Sequence, residues 1–263
     1  MNMISLSALD LAIASSLVIA VALISWRLQL GNSRVMLLAA VRTTLQLLLI
    51  GLVLKVLFAA SNPLWIGLMA LVMLLAAGRE VMTRQKRRFS GGWGYSLGTT
   101  SMFISSFSVT VLALIIIVEP QPWYQPRYAI PLLGMLLGNT MNGISLALDN
   151  LTHNAWDKRP VIEARLTLGM TWTAAISDIR RDSIRVGMIP IINAMAIAGL
   201  VSLPGMMTGQ ILAGSPPLEA VKYQILIMFL IAAGTGFGTI SAVMLACRRL
   251  FDERERLRLD RLG

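Results

Sequence analysis

Long apolar runs, interrupted only by short charged or proline-bearing stretches, follow one another along nearly the whole chain. Residues 9–26, 35–58, 64–78, 96–118, 129–148, 186–203 and 221–247 each read as a membrane crossing, because about 20 apolar residues in a helix match a hydrocarbon core of about 30 Å. Inside hydrocarbon the backbone amides must be satisfied within the segment, so runs of this kind are helical. The expected fold is all-α: a polytopic membrane protein with about seven transmembrane helices. The third run is the shortest. Charged residues make up only 14% of the chain, against about 25% in a soluble domain, so little of it is left to solvate. Residues 1–263 read as one transmembrane domain with a charged loop at about 149–185 and a tail at 248–263. The tail, alternating arginines and acids, reads as a solvated amphipathic helix.

The net charge of +10 does not point to nucleic acid, because the basic residues follow the loops. Seven crossings with the N-terminus outside place on the inner side Arg27 and Arg34, five Lys or Arg in 79–88, six in 158–185 and six in the tail. Only Lys55, Arg127 and Lys222 fall outside, and Arg42 lies within a span. This asymmetry predicts N-out, C-in. Cys247 and His153 are the only residues of their types. That excludes an intrachain disulfide, cysteine or histidine metal clusters, and Ser–His catalysis. The chain lacks the Gly-x-x-x-x-Gly-Lys-Ser/Thr phosphate loop, so it has no ABC-type ATPase of its own. These exclusions leave the chain without an enzyme's centre or a cofactor of its own, and any ATP hydrolysis falls to a partner.

The fifth run carries the most information. On a helix, Gly134, Gly138, Asn142, Ser145 and Asp149 fall within about 80° of one another, with Asn139 on the shoulder. A polar stripe in hydrocarbon must face protein or water. It is either a packing face, with Gly134-x-x-x-Gly138 allowing backbone approach, or the oxygen-rich lining of a pathway, and the two readings are compatible if the packing partner is a second copy. Arg42 and Gln46 sit one turn apart on the second run; Arg42 either snorkels to the inner interface, draws an anionic cargo or pairs with Asp149. Gly234 and Gly238 form a second small-residue pair, for which close packing is the better reading. Among the 16 methionines only Met206-Met207 looks positioned.

Within the charged loop, Glu163-Ala164-Arg165-Leu166-Thr167-Leu168-Gly169 resembles the coupling motif of ABC-transporter permeases, where a short helix enters a groove on a separate ATPase. A carboxylate at Glu163 would favour a helix N-terminus, Ala164 permits close fit, and Gly169 permits a turn. The run Ser202-Leu203-Pro204-Gly205-Met206-Met207-Thr208-Gly209-Gln210-Ile211-Leu212, with Pro216, Ala220, Tyr223 and Gln224 after it, resembles the FetB-like ABC permeases. The Arg42/Gln46 pair, Leu137-Gly138-Asn139-Thr140-Met141-Asn142 and Glu163-Ala164 follow the same likeness. That family includes a bacterial permease assigned to iron export and plant relatives linked to aluminium tolerance. The resemblance implies a bacterial inner-membrane subunit, paired with a cognate ATPase that binds ATP and Mg, working as two permeases with two ATPases to export iron. Arg42, Gln46, Asn139, Asn142, Ser145 and Asp149 are the pathway candidates. Glu163, Ala164 and Gly169 are the coupling candidates. An ATP-independent transporter or channel would call for a carboxylate deep within a span, and a sugar-like or anionic cargo would engage Arg42.

Overall fold

The computed structural model describes residues 7–60 and 62–263, without the side chains of 59 and 60. Contacts divide the chain into two compact units: residues 7–60 with Leu212–Gly214, and Pro63–Ile211 with Ser215–Gly263.

In the first unit, α1 (Ala8–Arg27) starts at a capping box in which the Ser7 hydroxyl accepts from the Asp10 amide and the Asp10 carboxylate accepts from the Ser7 amide. The paired bonds satisfy amides that a helix start otherwise leaves open. A tight turn with Gln29 and Gly31 at positive φ leads to α2 (Ser33–Ala60). The two helices pair, yet nearly all of their surface is apolar and exposed.

The second unit holds α3 (Pro63–Thr83) and a long composite helix. That helix alternates α4 (Trp93–Met102), a π-turn (Phe103–Phe107), α5 (Ser108–Leu112) and a second π-turn (Ala113–Val118). Ser105 and Thr110 donate their hydroxyls to the carbonyls of Ser101 and Ser106 at 2.8 and 2.6 Å, a back-bonding that competes with the ladder where the helix widens. There follow α6 (Pro126–Asp157), α7 (Arg159–Thr167), the single turn α8 (Trp172–Ala175), α9 (Ser177–Ile197), α10 (Gly205–Leu212) and α11 (Pro217–Leu250).

α6, α9 and α11 pack together, with α3 and α4 against them. Where they cross, the backbones approach closely. A Cβ added to Gly143 would lie 2.9 Å from the Gly187 carbonyl and 2.7 Å from Thr235; one on Gly187 would lie 2.7 Å from the Gly143 carbonyl. Gly238 is confined in the same way by Thr140 and Ser105. Small residues at a helix crossing allow such contact without the hydrophobic force that water would supply.

Six stretches among the described residues are long and apolar enough to cross a membrane: α1, α2, α3, Trp93–Val118, α6 and α11. The third runs past its predicted end, to Thr83. The predicted crossing at 186–203 takes a different form. Its helix begins earlier, at Ser177, in two charged turns with Asp178, Arg180, Arg181, Asp182 and Arg185, and stops at Ile197. Gly199 at φ +82° then turns the chain, with a bridge between Ala198 and Ser202.

The tail also departs from the expectation of a solvated helix. α11 stops at Leu250 because the Asp252 carboxylate accepts the amides of Arg254 and Arg256, holding the backbone in a turn. The strand-like ends then pair, Ser90 amide to Arg261 carbonyl and Gly263 amide to Arg88 carbonyl. Phe251 and Leu259 become buried. Each such side chain withdrawn from water stabilises by about 1.5–3 kcal/mol, which a fully solvated helix would forgo.

Candidate functional site

α6 starts with a proline at its first position, where the missing amide costs nothing and φ is already helical. Its 32 residues span about 48 Å, so it outruns the hydrocarbon core and carries its last turns into the loop region. The predicted polar stripe separates into two environments. Of its members Ser145 is buried, its hydroxyl donating to the Met141 carbonyl at 2.7 Å, and Thr140 and Gly143, off the stripe, are buried against neighbouring helices. Asn139 and Asn142 are exposed, and Asp149 is half-buried. Asn139 donates its amide to the Met135 carbonyl at 2.8 Å. A side chain at Gly138 would meet nothing within 4 Å, whereas one at Gly134 would touch only the Met73 methyl.

The basic stretch after α3 closes on this stripe. Arg84 donates to the Asn142 side-chain oxygen at 2.6 Å while pairing with Glu80 at 3.4 Å. The Lys86 amide donates to the Asp149 carboxylate at 2.9 Å. Arg87 lies over the Trp156 ring, 4.1 Å from its centroid. Three positions of α6, each about two turns from the next, are thus met by one short segment. Sequence periodicity selected Asn142 and Asp149 but not Arg84 or Lys86, whose run reads only as a solvated loop. Asn150, also unpredicted, accepts from Ser183 at 3.0 Å and ties α6 to α9. Arg42 and Gln46 lie exposed, one turn apart, on α2 of the other unit.

The loop between α6 and α9 folds as α7, a nine-residue helix. Glu163 does not stand at its N-terminus, as the sequence suggests; Pro160 takes that place, and the Glu163 carboxylate accepts instead from Arg159 at 2.7 Å. Gly169 adopts φ +83° immediately after the helix. Its amide donates to Leu166 and that of Met170 to Arg165, a Schellman cap that only a residue at ease in the left-handed region closes without strain. Arg165 anchors α7 to the start of α9, donating to the Ala175 carbonyl at 3.0 Å and the Asp178 carboxylate at 2.8 Å. The tail braces the same region: Glu255 accepts from the Trp172 amide at 3.1 Å, and the Trp172 and Phe251 rings lie 5.5 Å apart. Ile162 points into the core, while Val161, Ala164, Leu168 and Met170 stay exposed.

On α11, a Cβ at Gly234 would make ordinary contact with Leu136 and Thr140, while Gly238 is tightly enclosed. Met207 lines a cavity of about 530 Å³ between α9, α10 and α11 together with Met195 and Met228. Among the described residues no three His, Cys, Asp or Glu side chains gather as a metal-holding group. The arrangement offers neutral oxygens and a carboxylate tethered to basic residues, and a short helix that buries Ile162 in the core and leaves its opposite face exposed.

An all-α chain with several long apolar helices and charged connecting elements is a polytopic membrane protein. It belongs to the uncharacterised protein family UPF0014, whose model matches residues 8–251. It is 41% identical over 243 residues to the UPF0014 membrane protein slr1647 of Synechocystis, covering 90% of this chain and 91% of that one. To the probable iron export permease protein FetB of Escherichia coli it is 33% identical over 267 residues, covering 100% and 99%. To the protein ALUMINUM SENSITIVE 3 of Arabidopsis thaliana it is 29% identical over 247 residues, covering 94% and 88%. No solved structure matches the chain.

Proposed function

We propose that this chain is the membrane subunit of an ABC transporter in a bacterial inner membrane, that two copies assemble with two ATPase subunits, and that the complex exports iron. The observation that carries the reading is α7. It is a short helix between two long ones, fixed at its base by Arg165 and Asp178, capped at Gly169, and presenting Ala164, Val161 and Leu168 outward. A small apolar surface on a braced helix suits insertion into a groove on a partner. Iron comes from the name given to the Escherichia coli relative, and it accords with the oxygen donors of α6, since hard and borderline cations accept such ligands. Asn139, Asn142 and Asp149 with Arg42 and Gln46 are then the pathway, and the open face at Gly138 is where a second copy approaches.

The same reading has seven crossings, N-out and C-in. The tail pairs with 88–90 and reaches Trp172, so these three lie on one membrane face. On this reading an even number of crossings separates Trp172 from the tail, with α9 and α11 as the two. The charged first turns of α9 then stand at the inner face beside α7.

Co-expression of a tagged chain, an untagged chain and the candidate ATPase tests assembly. Both partners should co-purify with the tagged chain, and Gly169→Trp should remove the ATPase. A normal complex with Gly169→Trp would sink α7 as the coupling element, and absence of the untagged chain would sink the dimer. Cells expressing the wild-type pair should hold less iron than cells without it, and Asn142→Leu or Asp149→Ala should abolish that difference at matched protein levels. Unchanged iron with wild type would dismiss the substrate.

A further inference from the structure

The tail, the start of α4 and the end of α11 line an open cavity of about 1070 Å³ that no part of the proposed transport reading uses. Its wall changes character from one end to the other. Leu97 and Leu245 belong to helices that cross the membrane, and Trp93 stands at the start of α4. Arg248, Arg249 and Arg254 line the end formed by the tail.

The local charges are unevenly matched. Asp252 is taken by Arg256 at 2.9 Å, and Glu255 by the Trp172 amide. Arg261 donates to the carbonyls of Arg249 and Phe251. Among the described residues Arg248, Arg249 and Arg254 have no carboxylate partner, leaving Glu253 as the one acid of the lining not otherwise engaged. The Arg249 guanidinium lies 4.4 Å over the Trp93 ring, with its Nε buried and without a hydrogen-bond partner.

We infer that this cavity binds the phosphate headgroup of an anionic phospholipid, with the acyl chain along Leu97 and Leu245. Three unpaired arginines present planar donors matched to phosphate oxygens. A tryptophan at the level where apolar wall gives way to charge is the usual companion of a headgroup, and basic residues beside the ends of crossing helices draw anionic lipid. A free phosphate would satisfy the arginines but leave the apolar wall without a partner. The bound lipid would brace the tail, which holds Trp172 next to α7, so occupancy would stiffen the loop region without touching the pathway. The site requires neither the ATPase nor iron, and its failure would leave the transport reading standing.

The test uses the full chain, delipidated in detergent, titrated with dioleoylphosphatidylglycerol, with dioleoylphosphatidylcholine and with inorganic phosphate, and read by native mass spectrometry. Phosphatidylglycerol should be retained about tenfold more strongly than phosphatidylcholine, and Arg248→Gln/Arg254→Gln should remove that preference, as expected for losing hydrogen bonds to a charged group. Arg185→Gln, an exposed arginine elsewhere, should leave it unchanged. Should the double variant not fold, Arg254→Gln alone, in the exposed tail, should weaken retention about threefold. Equal retention of the two lipids, or wild-type retention by the arginine variants, would overturn the site. Displacement of the lipid by millimolar inorganic phosphate would replace it with a free-phosphate site.

Discussion

α2 and α6 are both long enough to cross a bilayer, yet they meet their surroundings in opposite ways. No residue in the most apolar stretch of α2 is buried by protein, whereas 56% of that of α6 is. Apart from Arg42, Gln46 and a few other polar residues, α2 is apolar around its circumference, so lipid or a partner can cover most of it. α6 instead alternates small, hydroxyl and amide residues with leucines, and that surface has neighbours to fit: Gly187 and Thr235 on one side, Arg84 and Lys86 on another. Apolarity alone decides that a segment crosses. Shape and polarity decide what it crosses beside. Tolerance to substitution should divide along the same line.

The sharpest contrast lies between two glycines. Gly143→Leu must displace the Gly187 backbone or Thr235, since a Cβ already meets both under 3.0 Å. Overpacking of this severity costs about 3 kcal/mol or more, and most of the folded protein should be lost when monodisperse yield and melting in detergent are measured. A Cβ at Gly51 on α2 meets nothing within 4 Å, so Gly51→Leu should fall within about 0.5 kcal/mol of wild type. Equal damage from the two would break the comparison.

A smaller effect is expected where α6 meets the basic segment. Arg84→Met and Asn142→Leu remove the two ends of one hydrogen bond. In a double-mutant cycle on thermal stability their coupling should be about 0.5–1.5 kcal/mol. Strict additivity would mean that Arg84 is not held by Asn142, and that the stripe is open at that turn.

The smallest effect concerns the tail, the region best exposed to water. Hydrogen bonds and charge from Arg258 bring the Asp260 carboxyl down to about 2, and bonds from Arg256 and Arg254 lower Asp252. Both carboxylates are held more firmly in the folded tail than in an open one. Their stabilisation is therefore complete above the ordinary value of 3.8 and fades as pH falls from there towards 2. Hydrogen exchange over 252–262, corrected for intrinsic rate, should be unchanged from pH 6 to 4.5 and slightly faster at pH 2. A loss of protection already at pH 5 would show that these pairs do not hold the tail.

Sequence by itself determined the class of the molecule. The apolar runs, with the scarcity of charge between them, dictate membrane helices because hydrocarbon imposes the same demand on every segment. For that reason six of the seven predicted runs sit wholly inside helices that the chain forms, and Gly169 could be read as a turn residue. Periodicity also singled out Asn142, Ser145 and Asp149 as one helical stripe. What it could not supply was the partner of each. Arg84 and Lys86 are far from α6 in the chain, and nothing local marks them off from other basic loop residues. Gly143 and Gly187 belong to no Gly-x-x-x-Gly pair of the kind read in the sequence, and their contact exists only once α6, α9 and α11 cross. The tail misled for a related reason. Its alternating charges suit a solvated helix, but burial of Phe251 and Leu259 and the amides taken by Asp252 favour a folded-back turn. Those contacts are long-range, and only the assembled bundle places a surface there for the tail to cover.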